Sequence, residues 1–119
     1  MQSYKELIVW QKSVALVTKI YRATEAFPNT ECFGLTSQMR RAAVSIPANI
    51  AEGYARKHRA EYLQFLRIAF GSGAELETHL IIAANLGFLK KTDIIETNEL
   101  LGEVMRMLNK LISTLTAKP

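Results

Sequence analysis

Apolar residues recur at three- and four-residue steps through four long stretches of the chain, and no stretch shows the strict alternation of a half-buried strand. The spacing predicts a first helix over about residues 4–25, with Ser3 as its cap and Glu6 completing a capping box. Phe27-Pro28-Asn29 stops it. Leu7, Trp10, Val14, Val17 and Tyr21 form one stripe, and Val9, Leu16, Ile20, Ala23 and Phe27 form a second beside it. Together they cover about half the circumference, more than the roughly 100° that one core contact requires. Lys5, Lys12 and Lys19 edge that arc. The second stripe reads equally as a thick core or as contact with a neighbouring subunit.

Residues 35–59 organise the rest. A second helix capped by Thr36 or Ser37 passes through Arg40-Arg41 and Pro47 and finishes between Gly53 and Lys57. Pro47 has no N–H for the Ala43 carbonyl, which predicts a kink. Met39, Ala42 or Ala43, Ile46, Ile50 and Tyr54 keep helical register across it, favouring one continuous helix. The alternative is a separate short helix capped by Ser45, with Pro47 in its first turn.

A third helix is expected over residues 59–86, with Gly87 as its C-terminal cap and Phe88 as the accompanying apolar contact. Tyr62, Leu66, Ala69, Gly73, Leu76, Leu80 and Ala83 draw a heptad seam, and Leu63, Phe65, Ile68, Phe70, Ile81 and Ile82 cover most of the other sides. A helix apolar nearly all round needs more cover than one small domain supplies, which points to association. Gly71-Ser72-Gly73-Ala74 falls level with residues 41–43, so the second and third helices are expected to approach closely there. Thr92 or Asp93 is expected to cap the fourth helix, where Ile94, Leu101, Val104, Leu108, Leu111 and Leu115 repeat the heptad before a frayed tail over residues 116–119. Short connections then give an all-α fold, an antiparallel up-down-up-down four-helix bundle with a proline kink in the second helix.

Composition narrows the class. A chain of 119 residues, 49% hydrophobic with 3 Pro and 6 Gly, suits one domain over residues 1–119 and not a disordered segment. Charges interrupt every apolar run, so no membrane span is expected. The opening MQSYKELIVWQK lacks a secretory signal's basic head and apolar core, which predicts a cytoplasmic protein. The single Cys32, beside Phe33, is expected to be a small buried hydrophobe. A net charge of +4, from 15 basic and 11 acidic residues, permits an acidic partner without demanding one.

No catalytic constellation is present, and no cofactor or metal is implied. A di-iron bundle needs Glu-x-x-His twice, and the chain has none, which leaves His79, one turn after Glu75, to a structural or interfacial hydrogen bond. Gly71-Ser72-Gly73 lacks the preceding strand and spacing of a phosphate loop. Asn49 is expected to satisfy the backbone opened by Pro47, and Glu52 to pair with a basic residue of its own or a neighbouring chain. Arg40, Arg41, Arg56, Lys57 and Arg59 are the candidate phosphate contacts. The run 56–59, with His58, lies at one bundle end beside Lys110 and Lys118, whereas Arg40-Arg41 and Lys90-Lys91 lie towards the other. The competing reading makes these charges ordinary solvated turns.

Tyr4-Lys5-Glu6-Leu7 with Trp10-Gln11-Lys12, the run LTSQMRRAAVSIPANIAEG over residues 35–53, and Gly71-Ser72 with Glu75-Leu76-Glu77-Thr78 resemble the bacterial 23S rRNA-intervening sequence proteins. The similarity weakens after Lys91. It extends to accessory proteins of diversity-generating retroelements, five-membered rings with basic surfaces that work with a reverse transcriptase and nucleic acid. The resemblance implies a homo-oligomer, a pentamer by that analogy, and carries no catalytic residues. Two functions follow as expectations. The first is a non-enzymatic oligomeric bundle that binds RNA or DNA. The second is a ring-shaped scaffold that recruits a partner protein.

Overall fold

The computed structural model describes residues 3–117, and Lys118 lies outside them. Four α-helices account for most of the chain: α1 (Ile8–Thr24), α2 (Leu35–Ala55), α3 (Arg59–Asn85) and α4 (Lys91–Thr116). Two short 3-10 turns, Tyr4–Glu6 and Asn29–Glu31, precede α1 and α2. The described residues contain no strand.

Each helix packs on two neighbours, and α2 with α3 is the tightest pair. α1 and α3 stand diagonally, with no close backbone approach among the described residues. Lys12 pairs with Glu103 at 3.0 Å and Lys19 with Glu96 at 2.8 Å, so numbers rise along α1 as they fall along α4. The result is a rod 48 × 23 × 20 Å. Leu16, Ile20, Met39, Ile46, Ile50, Leu66, Leu76, Leu101, Val104 and Leu108 fill its axis. Burying each such side chain favours folding by about 1.5–3 kcal/mol.

Several local expectations are revised. The first helix is not continuous from Ser3. The Ser3 side chain accepts from the Lys5 N–H and caps only the 3-10 turn, and Leu7, in an extended conformation, separates that turn from α1. On α1 the second stripe is the core: Val9, Leu16, Ile20 and Ala23 are buried, whereas Val14 and Tyr21 of the first stripe are open to solvent. Helix α2 starts one residue before Thr36, after Gly34, and the Glu31 carboxylate accepts the Leu35 N–H from outside the helix. It then runs without interruption through Pro47. Helix α4 begins at Lys91 with Lys90 as its cap, so neither Thr92 nor Asp93 occupies that place. Cys32 is exposed, because the Asn29–Glu31 turn holds its segment outside the core.

The close approach of α2 and α3 also lies elsewhere. A Cβ built on Gly53 would stand 2.7 Å from the Phe65 Cβ and 3.3 Å from the Tyr62 carbonyl oxygen. Gly71 meets open space, and Gly73 turns to α4, where a Cβ would collide with the Met105 sulfur. The level of the patch is nonetheless as expected, since the Ser45 and Ser72 hydroxyls share a 2.8 Å hydrogen bond. Gly87, at φ +75°, ends α3: its N–H donates to the Ala84 carbonyl and the Phe88 N–H to that of Ala83, while the Phe88 ring packs 5.5 Å from Phe27.

Candidate nucleic-acid interface

Arg40 and Arg41 are adjacent on α2 and therefore point about 100° apart. Arg40 turns towards α1. Its Nε donates to Thr24 Oγ1 at 2.9 Å and Nη2 to the Tyr21 carbonyl at 3.2 Å, and its guanidinium lies 4.5 Å from the Tyr21 ring centroid. These bonds satisfy carbonyl and hydroxyl groups at the C-terminal end of α1, a structural role that the sequence did not disclose. Arg41 turns the other way, into a groove between α2 and α3 of about 410 Å³ that Gln38, Ala42, Ser45, Ser72 and Glu75 also line. Arg41 and Glu75 share this groove without forming an ion pair.

The second cluster lies 15 residues further along α2, about 22 Å of helix away. Arg56 donates to Glu52 at 2.9 Å and to Glu61 at 3.3 Å, and its guanidinium stacks 5.1 Å from the Phe65 centroid. The hydrogen bond to Glu52 raises the Arg56 pKa above its ordinary value. Lys57 closes α2 in the left-handed conformation, at φ 54°, with its side chain exposed. His58 Nδ1 lies 3.9 Å from Glu61. Arg59 is exposed at the start of α3. The three cations of the turn thus sit with two carboxylates, Glu52 and Glu61, which leaves a local excess of only one positive charge when His58 is neutral. The five candidates lie in three places rather than on one surface: Arg40 against α1, Arg41 in the α2–α3 groove, and Arg56, Lys57 and Arg59 at the turn.

Asn49 does bond the backbone beside Pro47, but at a different carbonyl. Its Nδ2 donates to the Ser45 carbonyl at 2.7 Å and to Ser45 Oγ at 2.9 Å, not to the Ala43 carbonyl that Pro47 leaves without its helical donor. Ser45 in turn meets Ser72, so Asn49 helps to fix the floor of the Arg41 groove. Glu52 pairs within its own chain. Among the described residues His79 makes no hydrogen bond: Nε2 stands 3.6 Å from Glu75 Oε2, and the buried Nδ1 has no partner there. Among the described residues no group of three or more His, Cys, Asp or Glu side chains is placed to hold a metal ion. No helix among them is long and apolar enough to cross a membrane.

Sequence reasoning named Arg41 but missed the groove. The one legible signal is the polar row Gln38, Arg41, Ser45 and Asn49 at three- and four-residue steps along α2. Ser72 and Glu75, its opposite wall, come from a helix whose rotation the sequence does not specify.

The fold and this surface define an all-helical bundle of four helices with a divided charged face. The chain belongs to the 23S rRNA-intervening sequence protein family, whose model matches residues 5–110. A protein of unknown function from the S23 ribosomal protein family of Bacteroides thetaiotaomicron has the same fold, with a TM-score of 0.82 over 89% of this chain and 96% of that one, at 24% identity. No curated protein matches the chain.

Proposed function

We propose that this chain is a non-enzymatic, homo-oligomeric platform whose identical subunits meet side by side. The observation that supports this reading is an apolar surplus on two diagonal helices whose backbones make no close approach among the described residues. Ile68 and Ile82 on α3 and Leu86 just past its end are 45%, 43% and 58% exposed, and Val14 and Tyr21 open on α1. Two different patches on one subunit suit a heterologous contact, which closes into a ring when the rotation permits. Five subunits is the number that the resemblance supports. One exposed thiol suits a reducing compartment, the cytoplasm. Sedimentation equilibrium tests the assembly: the parent chain is expected at a multiple of its 13.4 kDa mass, and Ile82→Glu with Leu86→Glu near that mass. A parent chain that sediments as a single copy overturns the reading.

A second element of the proposal concerns RNA or DNA. Arg41 and Lys57 have no ion-pair partner among the described residues, and a ring repeats both around its circumference. Phosphate contacts of this kind have little sequence preference and weaken steeply with salt. Labelled RNA titrated at two salt concentrations is expected to bind the parent, and Arg41→Glu with Lys57→Glu much less. Absence of binding at low salt leaves the platform as a scaffold that recruits a protein.

A further inference from the structure

The seam between α2 and α3 changes character along its length. At Gly53 the two backbones meet, with no room for a Cβ against Phe65 and Tyr62. Two turns earlier on α2 the contact has become a 2.8 Å hydrogen bond between the Ser45 and Ser72 hydroxyls. One turn earlier still, Ala42 offers only a methyl group to fill the space. The groove of about 410 Å³ opens there, with Gln38 and Arg41 on the α2 wall and Glu75 on the α3 wall.

Its floor is fixed and its walls are unspent. Asn49 Nδ2 donates to Ser45 Oγ at 2.9 Å, and Ser45 meets Ser72. Among the described residues, the side chains of Arg41 and Gln38 make no hydrogen bond and no ion pair. Glu75 approaches only His79, at 3.6 Å, which is beyond hydrogen-bond reach. A guanidinium and a carboxylate therefore share one hollow without neutralising each other.

That arrangement suits an occupant with an anionic end and a donating end. A bare phosphate on Arg41 would also face the Glu75 carboxylate, which opposes it. An α-amino acid carries both its charges on neighbouring atoms and would leave most of the volume empty. A nucleotide is longer, with its phosphate at one end and a base edge at the other. Among the common bases only guanine presents two adjacent donors, N1–H and N2–H, to match the two oxygens of one carboxylate.

We propose that this groove binds an unpaired guanosine nucleotide, with the phosphate on Arg41, the donor edge of the base on Glu75 and the Gln38 amide donating to O6. The Ser72 hydroxyl is left for the ribose. The proposal rests on the reading of Arg41 as a phosphate contact and adds a preference for one base, which phosphate contacts alone do not give. An unpaired guanosine within RNA and free guanosine monophosphate offer the same chemistry, and the experiment separates them.

Calorimetric titration of the full chain with guanosine, inosine and adenosine monophosphates reads the site. Guanosine monophosphate is expected to bind roughly ten- to a hundredfold more tightly than adenosine monophosphate, the discrimination of one bidentate base contact. Inosine monophosphate, which lacks the N2 amino group, is expected to lie between them. Glu75→Gln is expected to abolish the preference without lowering affinity for adenosine monophosphate, whereas Arg41→Gln weakens all three. Both side chains are exposed, and a thermal melt confirms that each variant folds. The Gln38 side-chain amide signals in NMR spectra are expected to shift with guanosine monophosphate. Equal affinities for the three nucleotides, or a preference that survives Glu75→Gln, overturns the guanine site. An oligouridine containing one guanosine, compared with oligouridine alone, then distinguishes the sources. Tighter binding of the guanosine-containing strand assigns the groove to RNA. Selective binding of guanosine monophosphate with neither strand bound assigns it to a free nucleotide and overturns the RNA reading alone. Both strands bound equally, with no preference among the nucleotides, leaves the phosphate reading standing and overturns the base contact.

Discussion

Glycine-to-alanine exchange at two helical positions is expected to act with opposite signs, although composition alone treats them alike. At Gly53 a methyl group would enter 2.7 Å from the Phe65 Cβ, 3.1 Å from Tyr62 Cδ1 and 3.3 Å from the Tyr62 carbonyl oxygen. The Cβ and the carbonyl are fixed to the α3 backbone, so no rotamer change relieves the clash and α2 must move away from α3. Overpacking of this kind costs about 1–3 kcal/mol, and the upper end applies where a helix rather than a side chain has to shift. Alanine returns about 1 kcal/mol of helix propensity. Gly53→Ala is therefore expected to lose about 2 kcal/mol, which for a chain of this length lowers Tm by about 8 °C. Gly71, with nothing within 4 Å of a Cβ, has only the propensity term, and Gly71→Ala is expected to melt about 4 °C higher. Gly73→Ala falls between them, because the Met105 thioether that it strikes is the flexible end of a side chain. Thermal melts followed by helical circular dichroism, at one fixed protein concentration, give the ranking. A Gly53→Ala protein that melts at or above the parent refutes the claim that α2 and α3 meet backbone to backbone at this point.

Burial raises the Tyr62 pKa above its ordinary value, with a smaller contribution from Tyr54. The unfolded chain then ionises first, so this stability is complete below about pH 10 and falls as pH rises towards the folded-state value. Tyr62→Phe is expected to flatten the alkaline limb of the stability profile in urea titrations, and an unchanged slope counts against burial as the cause. Arg40→Ala is expected to lose about 1–2 kcal/mol through its bonds to Thr24 and the Tyr21 carbonyl and its stacking on Tyr21. Arg40→Lys should recover little of this, because an ammonium lacks the planar fork, and full recovery in chemical denaturation would mean that only the charge matters.

Periodicity in the sequence determined that four helices form, that Gly87 ends the third and that α2 continues through Pro47, because each depends on local spacing or on one backbone preference. The α3 seam of Leu66, Ala69, Gly73, Leu76, Leu80 and Ala83 was legible for the same reason. Tertiary structure alone decided which way each helix turns. Both apolar stripes of α1 satisfy the same period, and only the positions of α2 and α4 select Val9, Leu16 and Ile20 for the core and leave Val14 and Tyr21 outside. The same choice of rotation sent Arg40 to α1 and Arg41 to the groove, assigned the tight contact to Gly53 rather than Gly71, and brought Glu61 of α3 beside Arg56. A helical repeat fixes spacing along an axis, whereas the angle about that axis is set by what the neighbouring helices can cover.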